Sequence, residues 1–163
     1  MAMTMKVEGL DELSRKLAQL GDRAEEVASR ALYDGAGVMA DAYAQAVESI
    51  KTEPFRYAFG TRQRYPSPEE KAALQGKTGI AKFDKNGTEV NTAIGVNGAG
   101  YADVAGKQKA VRKIANAINS GTSFMVKQPV FRRAVTQAKG AASAAIVAKA
   151  DELFNQIIND GGK

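Results

Sequence analysis

Arg132 and Arg133 follow Pro129 by three and four residues, and proline suits the first turn of a helix. The start of a helix favours acids. A guanidinium pair there is unfavourable unless a carboxylate or phosphate is placed to meet it. Such a pair recognises anions. Groups for bond-making are scarce: the chain has no Cys, His or Trp, which removes imidazole-assisted and thiolate nucleophiles and the commonest metal ligand. The acid pairs Glu25/Glu26 and Glu69/Glu70 fall at predicted helix starts, where acids are ordinary. No acidic cluster has metal-ligand spacing. Gly76-Lys77-Thr78 would end a phosphate-binding loop, but that motif needs a glycine at position 71, which is Lys71. No enzyme activity, cofactor or metal is expected.

Charge is the stronger signal. Residues 1–51 carry six Lys/Arg and nine Asp/Glu, whereas the rest of the chain, with its formal total of +5, is strongly basic. No acid occurs between Asp103 and Asp151, a stretch that includes Lys127 and the arginine pair. Such a block is a solvated face, or a surface for phosphates or an acidic partner. Phe124 and Phe131 interleave with these cations, loosely like a base-stacking platform, yet no helix-turn-helix, zinc-finger or RNA-recognition pattern accompanies them. The expectation is that both rings pack into the core and the cations point outward.

The elements that must position these residues follow from periodicity. Leu10, Leu13, Leu17 and Leu20 mark a short helix that Gly21 would end. Asp22 and Glu25 then have the spacing of a capping box, opening a long alanine-rich helix to about Lys51. Its small residues, with Gly35 and Gly37, suit close approach of a second helix or a sheet. Residues 52–77 lose periodicity and read as a long loop with one helical turn near 68–74, started by Ser67 or Pro68. Phe55, Tyr57, Phe59 and Tyr65 in this loop need something to cover them, so residues 52–70 are expected to be mobile alone and ordered by a partner.

Residues 80–83 and 90–96 read as strands joined by a hairpin turn at Asn86-Gly87, and 95–100 as a further loop. Residues 107–119 read as a basic amphipathic helix, with Val111, Ile114, Ala115 and Ile118 inward. Gly121 and Thr122 form a structural turn, Gly121 in a left-handed helix-ending conformation. A last alanine-rich helix runs from Pro129 to about Asn159. The fold class is α+β: a single domain over residues 1–163, with two long alanine-rich helices and shorter ones packed on a small antiparallel sheet. No apolar run approaches a membrane span, and the acidic start does not suit a secretory signal, so folding in the cytoplasm is expected.

Two stretches together carry a family resemblance. The first is Val7, Gly9, Leu10, Asp11, Glu12 and Leu13 at the start. The second is Ser120, Gly121, Thr122, Ser123, Pro129, Phe131, Ala134 and Val135 near the end. In this order, with GIAKF and NTAIGV between, the chain resembles the head–tail joining, or tail completion, proteins of phages with long non-contractile tails, similar to minor tail protein Z. Val130 between Pro129 and Phe131 departs from the pattern. The resemblance implies a structural protein of the virion neck, assembled in the host cytoplasm as a ring of six. Its partners would be further copies of itself, the tail tube protein and a head-side connector or stopper, with double-stranded DNA passing through the lumen. Arg132, Arg133, Lys127 and the loop aromatics would then meet a neighbouring subunit or the DNA conduit. The alternatives from other classes are a basic nucleic-acid-binding protein and an assembly factor absent from the finished particle.

Overall fold

The structure, a computed structural model, describes residues 10–53, 62–82, 84–86, 89–96 and 100–160. Helix α1 (Leu10–Glu48) is continuous for 39 residues. The expected break at Gly21 does not occur, and Asp22 lies inside the helix instead of capping it. One interior glycine costs only about 1 kcal/mol relative to alanine. Asp and Glu three apart are as compatible with a solvated helix face as with a capping box.

Helix α2 (Pro68–Ala72) has the anticipated start. Ser67 accepts the Glu70 N–H, Glu70 accepts the Ser67 N–H, and proline stands in the first turn. Strands β1 (Thr78–Ile80), β2 (Asp84–Asn86), β3 (Glu89–Asn91) and β4 (Ile94–Val96) make one antiparallel hairpin in two short ladders, β2 with β3 and β1 with β4. Between the ladders the Ala81 N–H donates to the Ala93 carbonyl, and the Thr92 hydroxyl to the Ala81 carbonyl. Asn86 is paired with Glu89 inside the ladder, so it is a strand residue rather than the turn residue expected. Gly87 falls outside the described residues.

A second hairpin was not anticipated. Strands β5 (Tyr101–Val104) and β6 (Lys107–Ala110) pair around Ala105 and Gly106, whose φ angles are 53° and 73°. Positive φ at both central residues matches the right-handed twist of a two-residue hairpin. The Gly106 N–H donates to Asp103 Oδ1, which secures the turn. Helix α3 (Val111–Ser120) therefore begins four residues later than expected, but it buries the anticipated Val111, Ile114, Ala115 and Ile118. Helix α4 (Val130–Asp160) completes the α+β fold.

Helices α1 and α4 lie antiparallel. Ala46 and Ala134 share one groove, Gly35 approaches Ala142 and Ile146, and Val27 meets Leu153 at the far end. This pair forms an arm. The main core lies at its base, where Val47 and Ile50 meet Leu74, Val104, the inner face of α3 and Phe131. The Phe131 ring stacks on Tyr43 with centroids 5.2 Å apart. Small residues on α1 do admit a second helix: a β-carbon on Gly35 would lie 2.9 Å from the Ala142 carbonyl oxygen. Among the described residues no helix is long and apolar enough to cross a membrane.

Candidate functional site

The stretch from Gly121 to Phe131 turns the chain from α3 into α4. Gly121 has φ 76° and ψ 165°. This is not the left-handed helical conformation expected but an extended one with positive φ, open essentially to glycine alone. A β-carbon there would also lie 2.9 Å from Lys127 Cβ. The Thr122 hydroxyl accepts the N–H groups of Phe124 and Met125, closing a tight local turn. That turn buries Met125 and presents Phe124 to solvent, 74% exposed. Phe131 is buried as anticipated; Phe124 is not.

Downstream, the Gln128 side chain serves as a double clasp. Its Oε1 accepts the Lys51 N–H at 2.9 Å and its Nε2 donates to the Lys51 carbonyl at 3.0 Å. The end of α1 is thereby joined to the start of α4. Pro129 precedes the first helical residue, Val130. Arg132 and Arg133 are both exposed in the first turn, and neither forms an ion pair among the described residues. Arg133 lines the alanine-floored groove between α1 and α4 together with Asp41. A carboxylate of its own chain thus shares its surroundings. Lys127 is exposed beside Gly121.

The late part of the long loop is bound down, against the expectation that all of it is free until a partner arrives. Arg64 forms an isolated parallel bridge with Met125: its N–H donates to the Phe124 carbonyl, and its carbonyl accepts the Val126 N–H. The Gln63 side chain donates to the Thr122 carbonyl. Tyr65 is half-buried, not an exposed aromatic, because these bonds draw residues 63–67 onto the turn. Phe55, Tyr57 and Phe59 lie outside the described residues.

The most perturbed group is one that sequence reasoning read as an ordinary acid at a helix start. Glu70 is 2% exposed. Its carboxylate accepts both Arg64 guanidinium nitrogens at 2.7 and 2.8 Å, Lys109 Nζ at 3.1 Å and the Ser67 N–H at 3.0 Å. Burial alone would raise its pKa; the Arg64 fork, the Ser67 N–H and Lys109 outweigh burial and hold it at about 2. The same pairing raises Arg64 above its ordinary value. The ion cluster fastens the loop, α2 and β6 together. Of this cluster only Ser67 as a possible helix start was visible beforehand, since Lys109 is 39 residues from Glu70.

Beside this cluster lies a cleft of about 490 Å³, lined by Arg64, Glu70, Lys109 and Lys113 with Tyr101 and Phe124. Tyr101 is 69% exposed. The arrangement offers an anion two directions of attraction and an apolar group two rings. It offers no nucleophile with an adjacent base, and among the described residues no group of acids could hold a metal. No family model, curated protein or solved structure matches this chain.

Proposed function

We propose that this chain is a structural protein of a phage neck, forming a ring that terminates the tail tube and joins it to a head-side connector, with double-stranded DNA passing through the lumen. The observation that carries the reading is the corner from Gly121 to Ala134. The residues of the late family-like stretch are those that shape it: Gly121 in a glycine-only conformation, Thr122 closing the turn, Pro129 before α4, and Phe131 and Ala134 in the core. That stretch therefore specifies a fold, as a signature shared by structural proteins should. The uneven charge gives further support, since an acidic first third and a basic remainder suit head-to-tail contacts between unlike patches.

The reading is tested with Arg132→Glu/Arg133→Glu. The variant should keep its helical circular dichroism while losing ring formation by light scattering, and losing head-to-tail joining in an extract that lacks the protein. Replacement of both arginines by alanine should weaken assembly less than charge reversal. Normal assembly of the double Glu variant would return the arginines to a solvated face. Failure of the unaltered chain to join heads to tails would defeat the reading itself.

A further inference from the structure

We infer that the cleft holding Lys109, Lys113, Tyr101 and Phe124 is a docking site for residues 7–13 of a second copy of this chain. The inference deepens the ring reading, on which it rests, by naming the two surfaces that meet. Arg64, Lys109 and Lys113 bring three positive charges to the cleft, and Glu70 supplies one negative charge that Arg64 and Lys109 already engage. The occupant should therefore be acidic. Two exposed rings on the same rim ask for an apolar anchor as well, since large exposed aromatics around a concavity mark interaction surfaces.

Within this sequence the stretch VEGLDEL at 7–13 has both properties: Glu8, Asp11 and Glu12 without a cation, and Leu10 and Leu13 three apart on one helical face. Its own cleft is out of reach. Residue 10 begins α1 and the cleft lies near the other end, where Lys71 of α2 binds the Glu48 carbonyl. Thirty-nine helical residues separate the two ends by about 58 Å. Moreover, Val27 is already level with Leu153, so α1 before about residue 20 runs past the end of α4 at Asp160. The α1 backbone from Leu10 to Leu13 therefore lies beyond α4, and a neighbour's cleft can receive this end of the chain head to tail. A nucleic-acid duplex suits the site less well: it is a single concavity with a carboxylate inside, not a line of cations following a backbone.

The chain lacks cysteine, so crosslinking can be made specific. Phe124→Cys and Leu13→Cys variants, mixed and mildly oxidised, should give mixed disulfide dimers in excess of either self-linked product. Lys113→Glu and Glu12→Lys, each folded by circular dichroism, should each weaken self-assembly about tenfold by light scattering, and the combination should restore it. Assembly at unaltered size, with no mixed disulfide and no response to Lys113→Glu, overturns this contact while leaving the ring reading intact. Loss of DNA retention in Lys113→Glu with assembly unchanged overturns it in favour of a phosphate site. A purified chain that stays monomeric at every concentration overturns both.

Discussion

At the base of the molecule the enclosed side chains are large: Leu74, Ile118, Val47 and Val111 are fully buried, and Phe131 is stacked on Tyr43. Along the arm the buried positions are mostly Ala31, Ala36 and Ala142, with Val27 and Leu153 toward the far end. The base is stable because volume is filled from several directions by α1, α3, α4 and the segment after α2. The arm has one seam, and its stability depends on how closely two helix backbones approach. Side-chain truncation should therefore be most damaging in the first region, and side-chain addition in the second.

The largest expected effect is at the base. Phe131→Ala should cost about 3–5 kcal/mol in urea unfolding, through lost burial and an unfilled space beside Tyr43. A loss below about 1 kcal/mol would mean that the base repacks freely, and the contrast with the arm would disappear.

Next comes the ion cluster. Glu70 has a folded-state pKa of about 2 against 4.5 in the unfolded chain. Its contribution is thus fully present above about pH 4.5 and is lost as pH falls through about 2. Glu70→Gln should cost about 3 kcal/mol at pH 7. Its stability should converge on that of the unaltered protein as pH approaches 2. A difference that stays constant with pH would assign the loss to packing rather than charge.

The smallest effects separate two glycines on α1. A β-carbon on Gly35 would collide with Ile146 Cγ1 and lie 2.9 Å from the Ala142 carbonyl oxygen, whereas one on Gly37 would meet nothing within 4 Å. Gly35→Ala should cost about 1–3 kcal/mol by forcing the helices apart. Gly37→Ala should gain up to about 1 kcal/mol from helix propensity alone. Equal thermal shifts of the two variants would show that the seam is not closely packed.

Much of this arrangement was legible because long helices repeat their signal. Alanine spacing and Pro129 located α4, and the small residues of α1 foretold a close neighbour. The misreadings have local causes. Gly21 looks like a stop, but neighbouring helical turns carry the chain through it. Ala105 is not a turn-forming residue by type, and Lys107–Ala110 continues without interruption into an amphipathic helix, so the second hairpin left no trace in the pattern. Phe124 looks like a core residue until Thr122 closes the turn that points it outward. Glu70 looks like an ordinary acid at a helix start, because nothing in sequence spacing links it to Arg64 and Lys109.

The Gln128 clasp on Lys51 has a consequence for the order of folding. Helix α1 is made early in synthesis, yet its partner α4 follows only after some eighty intervening residues, and an alanine seam offers little attraction before registration. Once Gln128 grips the Lys51 backbone, the two helices start from a common point with their register already set. Docking can then proceed turn by turn from the base to the tip, as a zip closes from its fixed end. The base should accordingly be structured in the folding transition state and the tip of the arm formed last. The part of the molecule that extends farthest is thus also the part that stays adaptable longest.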